Sequence, residues 1–370
     1  MNRLLIILYT NLLSSIDLER VLLITIFCFL VVSLILFTAI MVYRTIKIAD
    51  TRYMTELKGE YDDMFMSAAF SADAEELNTN IEKIKQLNKK YLQKKRHVHI
   101  VTDELLFLYH SFSGESKTNL WELYMKSGFL EYSEKKVKSL QWDISAQGVR
   151  EVAEMRDERI LPTLKKLSNS SNKLVQENVQ LSLVKINGFR GLDFLSTVET
   201  PISDWQQINL IEVLKEYTNT PIPDFTIWLS STEKTVILFA VRLIHQFKQI
   251  DRSNKLIPFL DYGDVKIKTE VIRTLVGFNK SEILDTLIKK YEQESFIIKL
   301  EIIKAYSFLS QSDDVAILAK WIINTTDLEI QKNCVEAVIN LYALDKLKEL
   351  CATNDVLKNK VELLLDKGLS

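Results

Sequence analysis

Residues that break helices are scarce in this chain, with 9 glycines and 5 prolines among 370 residues. Such a chain is not cut into many short turns, and strand-like alternation is rare in it, so the scarcity favours an all-helical build. Cysteine stands at 3 and histidine at 4. That leaves no disulfide framework and no thiol spacing for zinc: Cys28 falls in an apolar stretch, and Cys334 and Cys351 fall where a small apolar helical residue packs well. No glycine-rich phosphate loop, Ser-His-Asp arrangement or His-Glu zinc helix is visible. Neither sign of charge prevails, since 47 basic residues face 49 acidic ones. A global positive field of the kind that marks a nucleic-acid binder is thereby excluded. The expectation is a protein with no cofactor and no catalytic or metal-binding residues, and not an enzyme.

What the chain does have is one long apolar run and a repeat. Val21 to Tyr43 is 23 residues without a charge, bounded by Arg20 and Arg44. As a helix it would extend about 34 Å, enough for a hydrocarbon core of about 30 Å. Sixteen of these residues are Leu, Ile, Val or Phe, against the small penalties of Thr25, Ser33 and Thr38. Globular core helices rarely run so far without charge. No small-x-small cleavage site follows Tyr43, so an uncleaved single-pass anchor is expected. Arg44, Lys47, Arg52 and Lys58 follow the run while only Arg3 and Arg20 precede it. That bias puts the large C-terminal part in the cytoplasm, at the inner (cytoplasmic) membrane. Residues 1–20 form a short apolar segment too brief to span a bilayer, and no function is assigned to them.

From 44 to 134 the chain reads as a helical spacer or irregular helical region. Tyr53 to Phe70 is one candidate helix, and Ser71 is the expected N-cap of the next, with Glu75 and Glu76 in its first turn. That helix turns basic at Lys83, Lys85, Lys89, Lys90, Lys94, Lys95 and Arg96. Ile81, Ile84, Leu87 and Leu92 recur at helical spacing and leave these charges on a solvated face. The functional reading of Lys83, Lys89, Lys90, Lys94, Lys95 and Arg96 is contact with anionic lipid or an acidic partner, and no nucleic acid is expected. His97 and His99 follow, without an Asp or Glu at a companion metal-ligand spacing beside them. The adjacent acidic pairs Asp62-Asp63, Glu75-Glu76 and Asp313-Asp314 read as caps and solvated surface.

The repeat occupies residues 135–370. Core residues at i, i+4, i+8 and i+11 recur: Ile144, Gly148, Val152, Met155; Val175, Val179, Leu183, Ile186; Gln206, Leu210, Leu214, Tyr217; Val236, Ala240, Ile244, Phe247. They continue through Ile267, Val271, Leu275, Phe278; Ile298, Ile302, Tyr306, Leu309; Ile330, Cys334, Val338, Leu341; and a truncated Leu357, Val361, Leu365. The first anchors are separated by 31, 31, 30, 31, 31, 32 and 27 residues. A second apolar stretch precedes nearly every copy, as in Leu161–Leu167, Leu192–Val198, Phe225–Leu229, Leu256–Leu260, Ile283–Tyr291 and Val315–Ile323. Capping residues fall between the two, at Asp143, Asn172, Asp204, Asp264, Asp327 and Asn354. Such short pairs bury their faces only by stacking, which is an α-solenoid.

The run Gly263-Asp264-Val265-Lys266-Ile267-Lys268-Thr269-Glu270-Val271-Ile272-Arg273-Thr274-Leu275 resembles the second helix of the HEAT-like repeat proteins, with Ile267 and Lys268 at that family's Val-Arg pair. Pro162 and Pro258 are similar to the proline of its first helix. The resemblance covers about two thirds of the chain and implies a membrane-anchored bacterial HEAT-like repeat protein. An anchor joined to a repeat array without a catalytic constellation leads to the expectation of a scaffold binding a protein partner, and the resemblance implies a cell-envelope or exopolysaccharide system. The alternative it implies is a lyase-like or enzyme-accessory protein holding a small hydrophobic ligand. Of the five tryptophans, Trp121, Trp142, Trp205, Trp228 and Trp321, most are expected in the core, and an exposed one would be a hot-spot candidate.

Overall fold

The computed structural model describes residues 18–91, 95–310 and 315–366, with side chains described from residue 21 onward except at 95, 96, 365 and 366. Residues 1–17, Leu92, Lys94, the Asp313-Asp314 pair and the side chains of residues 18–20, Lys95, Arg96 and Leu365 lie outside these descriptions. Among the described residues the regular elements are all helices. The chain forms two compact units, divided between Ser133 and Glu134.

In the first unit, α1 (Leu18–Ala69) is a single helix of 52 residues. It contains both the apolar run and the helix expected at Tyr53 to Phe70, so there is no break at Tyr43. The reason is local: residues 44–69 contain one glycine, Gly59, and no proline. Thr25, Thr38, Thr45, Thr51 and Thr55 return their hydroxyls to carbonyls one turn back. The apolar residues from Val21 to Tyr43 are exposed, whereas Met54, Leu57, Tyr61, Phe65, Ala68 and Ala69 are buried. The same helix thus changes from an outward apolar surface to an inward-facing stripe.

That stripe packs against α2 (Ala74–Tyr91), α3 (Lys95–Ser111) and α4 (Gly114–Lys126). The cap of α2 is Asp73, not Ser71: its Oδ1 accepts from Glu75 N and Glu76 N, while the Ser71 hydroxyl donates to Ser67 O. Asp73 is one residue from the first helical residue and Ser71 is three, out of reach of the free N–H groups. A buried chain of hydrogen bonds fixes the register. Tyr61 OH donates to Asn88 Oδ1 at 2.8 Å, and Asn88 Nδ2 donates to Ser127 O at 2.9 Å. Asn119 Nδ2 donates to Ala69 O, and Tyr61, Phe65, Tyr124 and Phe129 fill the space between. The next helix, α5 (Phe129–Val137), runs across the division.

In the second unit the helices in chain order are α6 (Trp142–Glu154), α7 (Leu161–Leu167), α8 (Lys173–Asn187), α9 (Asp204–Leu214), α10 (Lys234–Gln246) and α11 (Val265–Gly277). They are followed by α12 (Leu284–Lys290), α13 (Phe296–Leu309), α14 (Val315–Asn324), α15 (Leu328–Asn340), α16 (Leu344–Thr353) and α17 (Asp355–Asp366). The quartets lie on or just past the second member of each pair: α6, α8, α9, α10, α11, α13 and α15. These second helices stack in sequence order, and those from α8 onward also pack on a first member. The arrangement is an α-solenoid of short HEAT-like pairs.

Three first members are 3₁₀ helices instead of α: Gly188–Ser196, Phe225–Ser230 and Ile250–Asp261. The shortest of them, Phe225–Ser230, has six residues and gains little from a cooperative i→i−4 ladder, and in Ile250–Asp261 Pro258 removes one donor outright. Gly188 takes φ 57 and ψ −135 at the end of α8, with the Tyr217 ring where a Cβ would stand. Gly191 has the stricter role, since a Cβ there would lie 2.3 Å from Leu183 O.

The caps divide. Asn172, Asp264, Asp327 and Asn354 accept from N–H groups of the helix that follows. Asp143 and Asp204 lie inside their helices; Ser203 accepts from Gln206 N in place of Asp204, and Gln141 precedes α6 without a side-chain cap. Glu233 caps α10 by accepting from Thr235 N.

Candidate functional site: the exposed face of the second helices

Each second helix buries its quartet and leaves the opposite side open. Counted from the first anchor of each copy, the residue before it and those six and ten after are exposed or half-buried, while the third after is half-buried in most copies and buried at Phe239 and Glu301. The sixth position is basic in four copies, at Arg150, Arg242, Arg273 and Lys304. In three of these it reaches the third position of the next helix. Arg150 donates to Asn178 Oδ1 at 3.4 Å. Arg242 Nε is 3.6 Å from Glu270 Oε2, and its Nη1 donates to Asp204 Oδ1 at 2.8 Å and Gln207 Oε1 at 2.7 Å. Arg273 clasps the buried Glu301 through both Nε, at 3.0 Å, and Nη2. The fork of a guanidinium matches a carboxylate with two parallel bonds, which sets the rotation of one helix on the next. The Arg242 hydrogen bond holds the Asp204 carboxyl below its ordinary range despite partial burial, with Lys266 adding to the effect.

Beside these bonds runs an apolar margin in the first turns of the same helices. Trp142, Leu174, Trp205, Val265, Phe296, Ile297, Leu328 and Val356 are all exposed, and each stands one or two residues before a first anchor. Trp205 is 70% exposed and Trp142 50%. Only Trp228 and Trp321 are core residues, so the expectation that most of the five are buried is not met; Trp121, in the first unit, is 37% exposed. The repeat frame carried this signal in the sequence: an apolar residue directly before an anchor points about 100° away from the core.

Gln206, counted among the core anchors, is buried as a polar residue. Its Nε2 donates to Gln180 Oε1, and Gln180 Nε2 donates to Ser168 O at 3.2 Å. Gln207 Nε2 donates to Ile202 O and Thr235 O. Together they form a hydrogen-bonded seam between α8, α9 and α10 that apolar spacing did not reveal.

Of the basic residues singled out in the first unit, the described ones, Lys83, Lys89 and Lys90, are exposed on α2. Because Asn88 pairs with Tyr61 and Asn80 Nδ2 donates to Ser67 O, α2 runs antiparallel to α1. Reckoned at 1.5 Å per residue along α1, Lys83 stands about 32 Å beyond Tyr43, and Lys89 and Lys90 about 25 Å. The start of α3 is nearer, at about 15 Å, since the His97 ring lies 5.4 Å from that of Tyr53. Lys90 is drawn over the Tyr91 ring at 4.6 Å. His97 is buried with Nδ1 2.9 Å from Tyr91 O. His99 does have an acidic companion, contrary to the sequence reading: Asp103 lies one helical turn on, with Nδ1 to Oδ2 at 3.1 Å. His245 stands in a groove between α9, α10 and α11, its ring edge-on to Phe278. Cys334 is buried, and burial pushes its thiol up to about 12.

No family model matches the chain, and no curated protein matches it. Among solved structures, a Kap121p mutant is similar over 82% of this chain and 40% of its own, at 11% identity and a TM-score of 0.45. This chain therefore spans well under half of that one. The complex of CpcE and CpcF of phycocyanin lyase from Nostoc sp. is similar at 10% identity and a TM-score of 0.23, over 82% of this chain and 92% of that one. A structure of microtubule polymerases with tumor overexpressed gene domain arrays, solved for tubulin recruitment, matches at 12% identity and a TM-score of 0.25, covering 87% of this chain and 98% of that one.

Proposed function

We propose that this protein is a membrane-tethered scaffold that holds a protein partner against the exposed face of its second helices. The observation that carries the reading is the apolar margin, in which Trp142, Leu174, Trp205, Val265, Ile297 and Leu328 recur one or two residues before a first anchor and stay exposed. Single exposed apolar residues are ordinary on a protein surface, but a series locked to the repeat frame and containing two tryptophans has the composition of an interface. The tether is the apolar part of α1, Val21 to Tyr43, whose outward side chains suit a hydrocarbon solvent.

The positive-inside bias supports a cytoplasmic scaffold at the inner membrane, and the resemblance to HEAT-like proteins suggests a bacterial envelope or exopolysaccharide system. Head-group contact falls first on Arg44, Lys47 and Arg52, which lie within about 14 Å of the end of the apolar run. Lys83, at about 32 Å, lies several screening lengths of about 8 Å away and belongs to the solvated face. The groove beside His245 draws walls from three repeats, but Arg242, Gln246, Lys248 and Glu270 make it open and mixed in polarity. Such walls favour a protein partner over a buried hydrophobic ligand.

A pull-down after cross-linking, with the anchor intact, tests the proposal. The expected result is a discrete protein product from the native chain that falls sharply in the double variant Trp142→Ser, Trp205→Ser. Equal recovery from both chains, or no product above background, would refute it.

A further inference from the structure

The arginine bond that joins other second helices is replaced between α8 and α9. On α8 the position that holds Arg150, Arg242 and Arg273 in other copies is Leu181, and the facing position on α9 is Asn209. There α9 presents an apolar strip in its stead. Trp205 and Ile208 are exposed and Ile211 is half-buried, each three residues from the last and so on one side of the helix.

Ile211 leads into an open groove of about 580 Å³ between α9, α10 and α11. Its apolar floor is completed by Ile250 and Phe278. Gly277 keeps it open, since a Cβ at that position would meet His245 Nε2 at 3.1 Å. The C-terminal half of α10 supplies Arg242, His245 and Gln246 to its wall.

The charges at its mouth are unequal. Arg242 is matched by Asp204, Gln207 and Glu270. Lys248 is exposed, forms no ion pair among the described residues, and is fixed at the end of α10 with φ 51, where its N–H donates to His245 O. An unmatched cation beside an apolar floor is complementary to a carboxylate next to an apolar side chain. The groove's volume accommodates side chains of an extended segment.

We infer that this groove is the specificity site of the scaffold proposed above, on which reading it rests. It takes an extended peptide segment of the partner, with an apolar side chain entering between Ile211 and Phe278 and the adjacent Asp or Glu carboxylate meeting Lys248. The apolar strip of α9 supports the chain as it leaves the groove.

The test uses the full chain in lipid nanodiscs and a randomised library of acetylated, amidated hexapeptides. The expected selection is enriched in Asp or Glu beside Leu, Ile or Phe. Lys248→Glu then weakens the best such peptide about tenfold and turns selection toward Lys and Arg. Gly277→Leu, which fills the groove and improves helix propensity, abolishes binding while the helical circular dichroism stays unchanged. A selection without the acidic-apolar pair, or both variants binding as the native chain does, would overturn the inference. The two proposals fail separately. If Trp142→Ser loses the cross-linked partner and Gly277→Leu retains it, the scaffold stands and the groove falls.

Discussion

At the scale of single residues, four of the seven full copies end on a strained conformation. Arg156, Lys248, Asn279 and Tyr342 all have φ between 51 and 55, and each directly follows the last residue of a quartet. This left-handed turn lets the next N–H close the helix end: Gln249 N, Lys280 N and Ala343 N each donate five residues back, to Ile244 O, Leu275 O and Val338 O. A side chain makes that conformation costly, and glycine removes the cost. Tyr342 is 96% exposed and gives up no packing. Tyr342→Gly is therefore expected to stabilise the protein by about 1 kcal/mol, read as a raised denaturant midpoint in detergent. Asp204 gives the pH dependence. Its folded carboxyl lies below the ordinary range because Arg242 donates to it, so its contribution is present above about pH 4 and is lost as pH falls through the folded value. Thermal melts of the native chain and Asp204→Asn should differ at neutral pH and converge in acid. A gap that persists at pH 2 would exclude the Arg242 contact as its source.

At the scale of elements, the second helices were legible because a buried stripe at i, i+4, i+8 and i+11 is what a helix covered on one side requires. The first members were legible as apolar stretches but not as 3₁₀ turns. Leu192–Val198 and Leu256–Leu260 are too short for periodicity to separate i→i+3 from i→i+4 bonding. Gln206 was read by its spacing alone, which reports burial and not the hydrogen bond to Gln180 that makes burial tolerable. The exposed tryptophans were visible only once the repeat frame assigned a direction to Trp142 and Trp205. The groove was not legible, since it depends on how α9, α10 and α11 from three copies pack together. The last pair shows an element held by one side chain: Lys360 Nζ on α17 donates to Ile322 O, Ile323 O and Thr325 O at 3.0, 2.7 and 2.7 Å, closing the end of α14. A cation there meets both the free carbonyls and the negative helix end. Lys360→Met keeps the stem and removes the charge. It should cost about 2 kcal/mol and speed hydrogen exchange at the C-terminal turn of α14 ahead of α10. Equal exchange in the two chains would mean that the carbonyls are satisfied another way.

At the scale of the whole molecule, one chain joins a helix suited to hydrocarbon with a stack suited to protein, and neither needs a reactive group to act. A tether raises the local concentration of a partner that is itself at the bilayer, so a modest interface suffices. Replacing Val21 to Tyr43 by a soluble helix should lower partner occupancy in cells while leaving the affinity of the purified second-helix face unchanged. The scaffold reading itself is met most directly by one measurement, a photo-cross-linking amino acid placed at position 205 of the full chain in living cells, with a second chain carrying it at the exposed position 166 of α7. The account predicts a single cross-linked protein from position 205, recovered in the membrane fraction, and none from position 166. The same product from both positions, or none from either, would contradict it.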